Sequence, residues 1–81
     1  MKLRPLGMFE FSAVEVEGDG VRLLRVSTNV IQISHVVEAG DSYCKVVMSN
    51  GGEFIANMGY DMFVRKVRDY LRYNEQYIIM N

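Results

Sequence analysis

The stretch SYCKVVMSNGGEFIANMGYDMFVRKVRDYLR, residues 42–72, decides the fold. In its first half, Ser42 to Met48 and Glu53 to Ala56 are rich in β-branched and aromatic residues and flank Asn50-Gly51-Gly52. An Asn-Gly pair between two such runs predicts a hairpin, because a type I′ turn needs positive φ at both central positions. After Gly59 the apolar period lengthens from about 2 to about 3.6 residues. Phe63, Val64, Val67, Tyr70 and Leu71 then share one stripe. This spacing predicts a helix over Tyr60 to Arg72, capped by Asn57 or Gly59 and closed by Asn74, with Asp61 and Arg72 complementing the macrodipole.

Toward the N-terminus the pattern stays strand-like. Phe9, Phe11 and Ala13 lie on one face of a strand over Met8 to Glu17, and the apolar phase then slips to Val14 and Val16 on the other. That slip predicts a bulge or a strand covered on both faces. Gly18-Asp19-Gly20 turns the chain into a second strand, Val21 to Val26, and Asn29 to Val37 reads as a third. Ala39-Gly40-Asp41 leads into the hairpin quoted above. Gln76 to Asn81 is apolar enough to add a short strand or pack over the sheet. The chain therefore reads as one α+β domain over residues 1–81. About five antiparallel strands form a curled sheet or partial barrel, and one C-terminal helix packs on it.

Composition narrows the class. Eighty-one residues support one small core, and 49% apolar with 23% charged residues excludes intrinsic disorder. One Cys cannot form an internal disulfide, and a net charge of -1 excludes a generally polycationic nucleic-acid binder. Met1 to Phe9 lacks the apolar run of a signal peptide, and no run reaches a membrane span, so a cytoplasmic setting is expected.

The chemistry-bearing residues are few. His35 and Cys44 fall on adjacent predicted strands; a two-residue turn would put them on one face and a three-residue turn on opposite faces. Neither register supplies an orienting group or oxyanion donors, so no catalytic residue is assigned. Two soft ligands do not close a zinc site, and no metal or cofactor is expected. Gly18-x-Gly20 and Gly51-Gly52 connect strand to strand, whereas a phosphate loop delivers its amides at a helix N-terminus.

The helix carries Arg65, Lys66, Arg68 and Arg72 away from its apolar stripe, net +2 after Asp61 and Asp69, while the rest of the chain holds 5 basic and 8 acidic residues. A solvated face with Arg65 and Asp69 as an i, i+4 pair is one reading; a patch for phosphates or an acidic protein is the other. The core-facing positions of Phe9, Phe11, Phe54, Phe63 and Tyr70 leave no stacking platform for single strands. Met8, Met48, Met58, Met62 and Met80 with Tyr60, Tyr73 and Tyr77 gather toward the helix entry and C-terminus, suiting either core packing or a protein interface.

Val30-Ile31-x-Ile33, Glu38-x-Gly40-Asp41-x-Tyr43-x-Lys45-Val46 and Gly51-Gly52-x-Phe54, followed by Val64 and Val67, resemble the strand, hairpin and helix unit of FlbD-like flagellar-operon proteins and of LytTR-type DNA-binding domains. The resemblance covers Ile31 to Leu71 and implies the local fold alone. LytTR-type domains continue past this helix into the strands that read DNA, and FlbD-like proteins lack the N-terminal strand pair. Size and composition also match small accessory proteins of phages and mobile elements.

The expected function is a small non-enzymatic module that binds, and so regulates or inhibits, a macromolecular partner, most simply a protein. The alternative is a nucleic-acid-binding transcriptional regulator. Arg65, Lys66, Arg68, Arg72, Tyr73 and Tyr77 are the candidate contact residues in either case, and a homodimer is compatible with so small a core.

Overall fold

The computed structural model describes residues 8–79, with side chains described through Arg72. Gly18, at φ +60°, and Asp19 form a two-residue turn joining β1 (Phe9–Glu17) to β2 (Gly20–Thr28). A glycine at the first central position with a negative φ at the second is the type II′ pattern. The pairing is unbroken from Phe9 opposite Thr28 to Glu17 opposite Gly20. The apolar slip in β1 is therefore not a bulge, and the strand is not covered on both faces: Val16 is 78% exposed. Instead, β1 changes from a strand with a buried face to one arm of a projecting ribbon.

Asn29 was expected inside a strand but begins a short 3-10 turn, Val30–Gln32. Its side-chain oxygen accepts from the Ile31 N–H at 3.2 Å, and its carbonyl accepts from the Gln32 N–H at 2.9 Å. This local bonding outcompetes strand pairing, as short Asn side chains often do. Then follow β3 (Ile33–Glu38), β4 (Cys44–Met48), β5 (Glu53–Ala56) and α1 (Tyr60–Ile79).

The β4–β5 turn corrects the type I′ expectation. Gly51 alone has positive φ, +94°, its N–H donating to the Met48 carbonyl at 2.9 Å, while Met48 donates back to the Gly52 carbonyl at 2.8 Å. This is a three-residue connection with an αL glycine, and Asn50 contributes its side-chain oxygen to the Gly52 N–H rather than a left-handed backbone.

The sheet order is β2-β1-β5-β4-β3, antiparallel throughout. A flat sheet would hold its two edges about 19 Å apart. Yet the edge strands β2 and β3 are joined by residues 29–32 alone, a reach of at most about 18 Å and less through a 3-10 turn. The sheet therefore curls without closing, and Val30 plugs the gap from within the core.

α1 lies on the concave side. Phe63 is fully buried, with its ring edge-on to Phe9 at 5.7 Å and to Phe11 at 5.1 Å. Ala13, Cys44, Val46, Met48 and Ala56 complete the centre, and Val67, Tyr70, Phe54 and Met58 pack around it. Burying each large side chain contributes about 1.5–3 kcal/mol. Gly59 accepts the first helical hydrogen bond, from Phe63 N at 3.0 Å, and is the cap. The helix does not stop at Asn74: its backbone stays helical to Ile79, so Gln76 to Ile79 forms neither a strand nor a loop. With Asn74-Glu75-Gln76 free of Pro and Gly, nothing terminates it earlier.

Candidate functional site

On a helix turning about 100° per residue, Arg65, Arg68 and Arg72 fall within about 60° of one another, and Lys66 lies about 100° to the other side of Arg65. The structure separates them accordingly. Arg68 and Arg72 border a groove against β3, whereas Lys66 sits on the β1 side with Glu10, Asp69 and Tyr70. The four cations do not form one patch. Among the described residues the ion pairs are Arg22 with Glu15 and Glu17, and Lys45 with Glu53 at 3.9 Å. The expected Arg65–Asp69 pair does not form, and Arg68 and Arg72 have no carboxylate partner among the described residues. Tyr73 and Tyr77 belong to α1 by backbone, but their side chains lie outside the described residues.

The groove follows from a mismatch of widths. The apolar stripe of α1 spans about 120° from Tyr70 to Val64. The buried centre of the sheet takes Phe63, Val67 and Tyr70, while Val64 and Leu71 overhang toward β3, leaving Leu71 46% exposed. Ile33 and Val36 face them from β3, enclosing a volume of about 420 Å³ with Arg68 and Arg72 alongside. Because β3 is an edge strand, the side of its backbone away from β4 has no strand partner among the described residues. Apolar walls, two guanidinium groups and an open edge together suit an extended segment carrying apolar and carboxylate side chains. Reading the helix alone placed Val64 and Leu71 in the core and gave Ile33 and Val36 no role. The available signal was a stripe wider than one small sheet can cover.

His35 and Cys44 lie on opposite sheet faces. The strands pair with Val36 opposite Val46 and Glu38 opposite Cys44, through a five-residue connection. Cys44 is inaccessible, and burial pushes its thiol pKa up. His35 is exposed, its Nδ1 3.2 Å from Ser34 Oγ. The pair cannot act as a nucleophile and base. Among the described residues no three His, Cys, Asp or Glu side chains gather where a metal ion could bind, and no helix is long and apolar enough to cross a membrane. Both glycine turns join strand to strand.

The methionines disperse rather than forming one surface. Met48 is in the core, Met58 packs against it, and Met8 and Met62 are exposed. Tyr60 is partly exposed at the helix entry, and Met80 lies outside the described residues. Compared with protein-family models, curated proteins and solved structures, the chain matches none of them.

Proposed function

We propose that this chain is a non-enzymatic binding module that regulates or inhibits a protein partner by docking an extended, apolar and acidic segment of that partner between β3 and α1. The observation that carries the reading is the groove itself, where Ile33, Val36, Val64, Val67 and Leu71 stand beside the guanidinium groups of Arg68 and Arg72. An added strand satisfies the open edge of β3, alternate side chains enter the groove, and carboxylates meet the arginines in charge-assisted pairs. Such a site needs no catalytic group.

Peptide arrays alternating apolar residues with Asp or Glu test this on isotope-labelled protein. Backbone amide shifts at Ile33, Val36, Val64 and Leu71 are expected, abolished by Val36→Lys and by the double change Arg68→Glu, Arg72→Glu. Binding that shifts other residues, or an array with no binder, would overturn it.

The unpaired clustering of Arg65, Arg68 and Arg72 favours a second reading, nucleic-acid binding. Asp61 and Asp69 on the same helix, and Lys66 on the opposite flank, weigh against it. Several phosphate contacts make log K fall steeply with log salt. No oligonucleotide binding at low salt removes this reading.

A further inference from the structure

We infer that the groove between β3 and α1 selects its segment by charge order: the segment runs antiparallel to β3, with a basic side chain at the Glu38 end and a carboxylate at the Ile33 end. This rests on the groove reading above and adds to it a second charged end and the direction of the docked chain.

The seam between β3 and α1 has opposite charge at its two ends. Glu38 and Asp41, with Asp61 from the first turn of α1, border a hollow of about 290 Å³ that Gly59 and Met62 also line. None of the three carboxylates has an ion-pair partner among the described residues, and no Lys or Arg lines the hollow. The helix N-terminus beside them offsets only about half a charge. Further along the same seam, Arg68 and Arg72 stand with Ile33 and Leu71. From Ile33 to Glu38 is about 17 Å of strand, and from Asp61 to Arg72 about 17 Å of helix. Strand and helix therefore run in opposite directions, and the acidic and basic ends lie at the two limits of one apolar groove.

The backbone of β3 fixes which residues a docked strand would meet. Ala39 donates to the Tyr43 carbonyl at 3.2 Å, and hydrogen-bonded positions alternate along an antiparallel pair. In the register that sets Val37 opposite Lys45, His35 and Val37 also bond to β4, so the N–H and C=O groups of Val36 and Glu38 point to the open edge. The side chains of these two residues lie on the groove face, because their cross-strand partners Val46 and Cys44 are core residues. A register shift at Ser34 then resets the alternation and turns Ile33 onto the same face, opposite Met48.

An incoming strand thus bonds to Val36 and Glu38, and its residues opposite them project into the groove. Antiparallel pairing is the more stable direction. The residue opposite Glu38 then comes first in the segment and meets the carboxylates. Two positions later an apolar residue meets Val36, and two later again a carboxylate approaches Arg68 and Arg72. The order is basic-x-apolar-x-acidic; a parallel strand would need the reverse.

The probe is the end-capped peptide Thr-Lys-Thr-Val-Thr-Glu-Thr, titrated into the isotope-labelled full chain beside the same peptide with Glu in place of Lys. An exposed ion pair contributes up to about fivefold in affinity, and Glu adds repulsion, so the Lys peptide is expected to bind about fivefold more tightly or better. Glu38→Lys, at an exposed site, should reverse that preference, an exchange that a general loss of structure cannot produce. The wild-type comparison needs no variant, so it decides the matter even if Glu38→Lys fails to fold. A nitroxide at the N-terminus of the Lys peptide should broaden the amides of Glu38, Gly40 and Gly59 more than those of Ile33 and Leu71. Equal affinity of the two peptides with shifts in the groove, or stronger broadening at Ile33 and Leu71, would overturn the charge order while the groove reading stands. No groove shift with either peptide would also overturn the charge order, and the peptide array then decides the groove reading by itself.

Discussion

Replacing Gly59 with alanine would drive a methyl group into the main chain of the β3–β4 connection. An ideal Cβ at this position lies 2.6 Å from the Asp41 carbonyl oxygen and 3.6 Å from its carbon. Ordinary contact begins near 3.4 Å, so the loop or the helix start must shift by most of an ångström. Because the obstacle is backbone, no rotamer change relieves it. Overpacking of this kind costs about 1–3 kcal/mol. Alanine is also a poorer helix cap than glycine, adding about 0.5–1 kcal/mol. The expected total is roughly 2–4 kcal/mol, against about 4–12 kcal/mol for a whole domain of this length. Thermal melting followed by circular dichroism should therefore show a fall of roughly 10–30 °C. Gly40→Ala is the control: its φ is +86° with nothing within 4 Å, so only about 1–2 kcal/mol of left-handed strain applies. A Gly59→Ala protein melting within about 2 °C of wild type, or less destabilised than Gly40→Ala, would refute the close packing of Asp41 on the helix start.

Gly51→Val places a β-branched residue at φ +94° and should cost about 1–3 kcal/mol in a melt, while peptide binding at the groove persists in the folded fraction. Val67→Asp sets a carboxylate in a half-buried position packed against the core and should cost about 1–3 kcal/mol, read as a lower melting temperature by circular dichroism. Burial raises the Cys44 pKa, so the folded state keeps its thiol proton where the unfolded state loses it. Stability from this source is complete below the unfolded thiol pKa and declines as pH rises past it; a thiol reagent at pH 8 should react with Cys44 only at the rate of unfolding, and fast labelling of the native chain would contradict the burial.

Strand and helix positions were legible because they rest on local chemistry. Gly18, Gly40 and Gly51 each mark a turn by the positive φ it needs, and Phe63, Val67 and Tyr70 repeat at the helical period. Turn type was less legible, since Asn50 can enter a left-handed backbone or hydrogen-bond from its side chain, and only the register decides. The helix end was missed because Asn74 is a weak stop in a chain with no Pro or Gly after it. The cations of α1 were read as one face from sequence spacing alone. Which side of a helix a neighbour approaches is a tertiary fact, and β3 claims Arg68 and Arg72 while β1 claims Lys66. Nothing local marks Ile33 and Val36 as groove walls, because an inner-face strand residue looks the same at a sheet centre and at its edge.

The narrow junction between β1 and β5 has a kinetic consequence. The Phe9–Thr28 ribbon and the Ile33–Ala56 meander each pair strands adjacent in the chain, whereas the two halves pair with each other only at Ala13 with Ala56 and Val14 with Ile55. Hairpins form in about 1–10 μs, whereas the seam joins residues 41 positions apart and needs both halves formed and oriented before it can pair. The seam therefore forms late in folding and parts early in unfolding. Native-state hydrogen exchange should release the Asn57 amide, donated to Ser12 O at 2.8 Å across that seam, at a lower opening free energy than amides in the middle of the β3–β4 pair. Folding of this chain is thus two fast local events followed by the docking of one half on the other across the short link of residues 29–32, and that docking step sets the rate.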